Sequence, residues 1–96
     1  FAIVNMSEIK LQYRGRNGVK TYKVLPHLLG QHKASNSMLL SAFDVTESDE
    51  IKHGWKTFIV INIMGVELTE VKFNAPMAGY NKNDSRMKKV LCFISP

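Results

Sequence analysis

Apolar and polar positions alternate at the start of the chain, then give way to a run that is apolar on both faces. Ile9, Leu11 and Tyr13 alternate with Lys10, Gln12 and Arg14, which predicts a half-buried strand over residues 8–14. Gly15-Arg16-Asn17-Gly18 reads as a turn, because Asn-Gly readily supplies positive φ. Residues 19–25 predict a second strand and hence a hairpin. Pro26 has no N–H to donate, so it is expected to stop the ladder, with a loop over 27–36. A third strand is predicted over 38–44, an acidic loop over 45–54, a fourth strand over 55–62, and a fifth over 66–72 after a bend or bulge at Gly65.

The stretch 57–66 is the unusual one. Thr57, Ile59, Val60, Ile61 and Ile63 are β-branched and stand beside Phe58, which favours a strand. Alternation places Phe58, Val60, Met64 and Val66 on one face and Ile59, Ile61 and Ile63 on the other. If Phe58 and Val60 face a core, Ile59 and Ile61 point outward and need a cover.

The period changes at the C-terminus. Met87, Val90, Leu91 and Ile94 follow i, i+3, i+4, i+7 spacing, which predicts a helix with Asn81 as N-cap and Asp84 in its first turn. Its apolar stripe is expected to pack on the sheet, with Cys92 inside the helix. The whole pattern predicts a mainly β fold, a small SH3-like or Sm-like five-stranded β-barrel with a C-terminal α-helix.

Composition narrows the class. Ninety-six residues suit one domain, and 45% hydrophobic with 22% charged residues are ordinary globular values. No apolar run reaches the roughly 20 residues of a membrane span, so no membrane partner is expected. One cysteine cannot form an internal disulfide, and a reducing cytoplasm is the simplest compartment. The chain opens on Phe1, with Met6 the first candidate start, which fits a domain cut from a longer protein. The net charge of +5 is unevenly spread. Lys10, Arg14, Arg16, Lys20, Lys23 and Lys33 face only Glu8 in the first 43 residues, whereas Asp44, Glu47, Asp49 and Glu50 gather in the acidic loop. Such a basic half attracts a polyanion, or simply keeps a small domain soluble.

The order of these elements resembles the WYL domain. The resemblance rests on Tyr13 after an alternating strand, the hairpin, Pro26, the strand Met38-Leu39-Leu40-Ser41-Ala42-Phe43-Asp44, and then Trp55 to Ile63. Phe73, Pro76 and Gly79-Tyr80-Asn81-Lys82-Asn83-Asp84 are similar to the tail of a short WYL-like subgroup, and Ala2-Ile3 to the end of a preceding helix, here truncated. The likeness spans nearly all of residues 1–96 as a single WYL-like domain. It implies a Sm/SH3-like barrel with a regulatory, ligand-sensing role, of the kind found in bacterial transcription regulators and phage or other defence systems. It also implies binding of nucleic acid or a nucleotide-like ligand. The chain departs from the pattern at Met38 and Leu39, which replace the Trp and Tyr of the name motif. Ile59, Ile61, Asn62 and Ser41 stand where Arg, Asp, a basic residue and Arg are usual. A guanidinium makes bidentate phosphate contacts that Ile and Ser cannot replace.

Candidate chemistry follows from these readings. Tyr13, Arg14, Arg16, Lys20 and Lys23 gather on and around the hairpin with Tyr22, the mixture of cations and stacking rings used by single-strand binders. Equally, Tyr13 can belong to the core and the lysines can protect a strand edge. His27, after Pro26, is a further candidate ligand contact. His27, His32 and His53 lack zinc-motif spacing, so no metal or other cofactor is expected. No nucleophile or phosphate-cradling loop accompanies the carboxylates, so no enzymatic activity is expected. The alternative reading is an interaction or oligomerisation module, a homodimer or partner-domain contact, using Ile59 and Ile61.

Overall fold

Alternation at Ile9, Leu11 and Tyr13 produces β1 (Ser7–Gly15), which turns through Arg16 and Asn17 into β2 (Gly18–His32). Gly15 faces Gly18 across this turn, and Gly18 takes φ 108, a left-handed conformation that glycine adopts without a Cβ penalty. The computed structural model describes residues 2–47 and 54–94, so Phe1, the acidic Asp49 and Glu50, and His53 lie outside the described residues. The remaining elements are β3 (Met38–Asp44), β4 (Gly54–Ile59), a 3-10 turn (Val60–Asn62), β5 (Ile63–Lys72) and β6 (Met87–Phe93).

Among the described residues the strands form one antiparallel sheet in the order β4-β3-β2-β1-β5, with β6 added to β2. The mainly β class therefore holds. The sheet has six strands rather than the expected five, and no ladder joins β4 to β5 among the described residues. Among the described residues, no helix is long and apolar enough to cross a membrane.

Three expectations are corrected. Pro26 does not end the second strand, because it sits at a register shift between Pro26 and Leu28 against β3. A bulge is where a strand tolerates a missing donor. β2 thus runs through the expected 27–36 loop as far as His32 and pairs with β1, β3 and β6 in turn.

The predicted C-terminal helix is instead strand β6, and Cys92 lies in that strand. A short apolar run fits either period. Here Val90, Cys92 and Ile94 turn inward by alternation, and the free edge of β2 at 28–32 supplies ladder partners. Asn81 consequently caps no helix; its Oδ1 accepts the Asn83 N–H at 2.9 Å.

The predicted fourth strand stops at Ile59, where the 3-10 turn breaks the two-faced run.

The core lies on one face. Ile9 and Leu11 from β1, Val24 from β2, Leu40 and Ala42 from β3 and Phe58 from β4 are buried with Ile3 and Ile94. Burying a ring such as Phe58 is worth roughly 1.5–3 kcal/mol. Tyr13 and Tyr22 pack edge-on against that ring, with centroids at 5.0 and 5.5 Å. Alternation on the β3–β4 ladder sends Leu40, Ala42 and Phe58 to the core, so Ser41, Phe43, Trp55 and Thr57 share the opposite face.

Candidate ligand pocket and basic hairpin

The bulge at Pro26 sets His27 inside the protein, fully buried. Its Nδ1–H donates to the Leu25 carbonyl at 2.7 Å, and its Nε2 accepts the Met77 backbone N–H at 3.0 Å, which assigns the proton to Nδ1. Three rings surround it: Trp55 at 4.7 Å edge-on, Phe73 stacked at 5.2 Å, and Tyr80 at 5.3 Å. Burial pushes the imidazole pKa below its ordinary value, against a smaller opposing effect from the Leu25 bond. The sequence marks His27 as a candidate ligand contact. With no exposed surface and both nitrogens engaged, it holds the segment after β5 onto the sheet instead.

That segment forms one wall of a cavity. Trp55 Nε1–H donates to the Ala78 carbonyl at 2.8 Å, and Tyr80 O–H donates to the Ile94 carbonyl at 2.7 Å. Between them Gly79 has φ 90, and a Cβ there would lie 2.9 Å from Trp55 Nε1. The chain can pass this close to the indole only as glycine. The cavity, about 260 Å³, is lined by Ser41 and Thr57 from adjacent strands, the Trp55 and Tyr80 rings, Asn81 and Arg86, among others.

Arg86 is held in place rather than free. Its Nε donates to both Asp84 carboxylate oxygens, at 3.0 and 3.2 Å, its Nη2 to Oδ2 at 2.6 Å, and its Nη1 to Thr57 Oγ1 at 2.8 Å. The Asp84 bonds raise the Arg86 pKa, and the Arg86 bonds lower that of Asp84. The sequence reading missed this site. The Trp55-x-Thr57 spacing put both on one strand face, but nothing local indicated that residues 79–86 would cross it.

The hairpin presents its cations to solvent. Arg14, Arg16 and Lys20 are exposed and make no ion pair among the described residues. Lys20 stands opposite Tyr13, and Lys23 opposite Lys10 on the other face. A small cleft of about 120 Å³ is lined by Tyr13, Arg16, Asn17, Lys20 and Tyr22, among others. Tyr13 has a structural bond as well: its hydroxyl accepts the Ile59 N–H at 3.0 Å.

Near this cleft Asp44 is fully buried. Its Oδ1 accepts from the Thr46 N–H and hydroxyl at 2.8 and 2.5 Å, while Lys56 Nζ lies 2.9 Å from Oδ2 and 4.9 Å above the Tyr22 ring. Burial raises the carboxyl pKa, but the Thr46 bonds and Lys56 together outweigh it and hold it below the usual value.

Ile59 and Ile61 are placed outward, Ile61 being 86% exposed. Ser37, Met38, Val60 and these two isoleucines line a shallow apolar depression, and no helix among the described residues covers it. Nor do any three His, Cys, Asp or Glu among the described residues come together as a metal site. Comparison of the chain with protein-family models, curated proteins and solved structures finds no match.

Proposed function

We propose that this chain is a non-enzymatic, ligand-sensing module of WYL-like type that contacts single-stranded nucleic acid or an anionic nucleotide through its basic hairpin. One observation carries the reading. Among the described residues Arg16 and Lys20 make no ion pair, and they line the same cleft as the half-buried rings of Tyr13 and Tyr22. Phosphate-seeking cations beside aromatic faces are how single strands are held without sequence preference. Arg14 extends the cationic rim, and Lys10 and Lys23 add charge on the opposite face.

An SH3-like barrel is the fold we infer for this module. Its support is the strand order, together with the 3-10 turn that links the outermost strands β4 and β5 and packs against both β1 and β3. Barrel closure requires the outer strands to approach in this way.

Binding of a labelled oligodeoxythymidylate, followed by anisotropy across a salt series, tests the function. Three phosphate contacts predict a log–log slope of about −2, since each contributes roughly −0.7 for a single strand. Arg16→Ala with Lys20→Ala is expected to flatten that slope. Salt-independent binding, or none at low salt, overturns the proposal.

The exposure of Ile59 and Ile61 favours a second reading, self-association through this apolar depression. Under it, the chain sediments as a dimer and Ile59→Arg as a monomer. An unchanged mass sinks it.

A further inference from the structure

The cavity beside Trp55 is independent of the hairpin, and its chemistry is specific. Its aromatic wall is made by Trp55 and Tyr80, whose rings lie 6.3 Å apart and within 20° of parallel. Its polar end is rich in donors. Thr57 Oγ1 already accepts from Arg86, which leaves its hydroxyl proton to give. Asn81 Oδ1 accepts from Asn83, which leaves its NH₂ group as donor. Ser41, directly opposite Thr57 in the ladder, adds a second hydroxyl. On Arg86, each terminal nitrogen retains an N–H beyond those committed to Asp84 and Thr57.

Acceptors are scarce by contrast, because both Asp84 oxygens are taken by Arg86. Charge is balanced too: Arg86 and Asp84 are the charged side chains of the lining, and they cancel. The site therefore favours a ligand with a flat face and several acceptors but no net charge. Size adds a limit. A cavity of roughly 150 Å³ holds benzene, whereas drug-sized ligands take roughly 300–1,000 Å³. At about 260 Å³ there is room for one substituted ring.

We infer that this pocket binds a neutral, single-ring heteroaromatic group bearing carbonyl acceptors, a pyrimidine base of the uracil type. The ring stacks on Trp55 and Tyr80, and its carbonyls accept from Ser41, Thr57, Asn81 and Arg86. The base comes either as a free nucleoside or as part of a single strand; both present the same ring edge. This pocket does not depend on the hairpin reading.

Trp55 is the only tryptophan of the chain, so its fluorescence reports this site alone. Titration of the intact chain with uridine, oligouridylate and inorganic phosphate tests the inference. Uridine is expected to quench Trp55 saturably and without salt dependence. Thr57→Val, which keeps the β-branched shape, is expected to weaken this about three- to tenfold, the worth of one hydrogen bond. Ser41→Ala is the second variant should Thr57→Val melt. Quenching by oligouridylate alone, lost in the same variant, places the base within a strand. No quenching by either, quenching that both variants leave intact, or displacement of uridine by phosphate overturns the inference. Salt-dependent oligonucleotide binding without any Trp55 response removes the pocket and leaves the hairpin reading. Uridine quenching without salt-dependent oligonucleotide binding does the reverse.

Discussion

His27 Nε2 accepts the backbone N–H of Met77 across 50 positions of sequence, at 3.0 Å. That bond ties the segment following β5 to the middle of β2, and with it the wall of the Trp55 cavity. A neutral imidazole with its proton on Nδ1 is what the geometry requires, since Nε2 must accept.

A pH dependence follows. The folded-state pKa of His27 is lowered below 6.5, so on acidification the unfolded chain takes up this proton first. Stability from this group is complete above about pH 6.5 and lost progressively as pH falls below it. Urea midpoints measured from about pH 7 to pH 5 are expected to fall. In His27→Phe the overall stability drops, because the Met77 N–H and Leu25 carbonyl lose their partner at about 1–3 kcal/mol each, and the slope in this window flattens.

Gly30 allows β6 to approach β2. A Cβ there would stand 2.8 Å from the Lys89 carbonyl oxygen and 3.0 Å from Met87 Sδ. Gly30→Ala therefore displaces the β6 backbone, at an expected cost of about 1–3 kcal/mol. Hydrogen exchange is the check: amide protection in β6 is expected to fall well before that of β1.

Removing Lys56 leaves the buried Asp44 with Thr46 as its one remaining side-chain partner among the described residues. Breaking a buried pair from one side costs about 3–5 kcal/mol, and the 35% exposure of Lys56 puts Lys56→Met at the low end. In the native chain Asp44 is held below 3.8, so its contribution is present above that pH and lost as pH falls through the folded value. Without Lys56 the folded value rises, and acid melting is expected to begin at higher pH than in the native chain.

Tyr13→Phe removes the acceptor of the Ile59 N–H and keeps the ring against Phe58. A loss of about 1 kcal/mol is expected, with faster exchange of the Ile59 amide. Unchanged exchange would show that solvent replaces the hydroxyl.

The first hairpin and β3 were legible because their signals are local. Alternation at Ile9, Leu11 and Tyr13 and the Asn17-Gly18 turn specify the hairpin, and the run 38–44 coincides with β3. The cationic hairpin was legible for the same reason, since charge on a turn needs no partner. The Trp55 pocket was not. Its walls come from residues 41, 55–57 and 79–86, and local spacing around Asn81 and Asp84 favoured a helix cap.

The sequence by itself determined the strand class, the first hairpin and the basic surface, because each follows from neighbours a few residues apart. Only the tertiary structure decided that Pro26 lies in a bulge, that residues 87–93 pair as a strand, and that His27 is an internal anchor. Those choices depend on which ladder edges stand open and which donors remain unpaired once distant segments meet. The run 57–66 shows both sides at once. Its β-branched residues specified extended chain up to Ile59, while tertiary packing placed the 3-10 turn that leaves Ile61 in solvent.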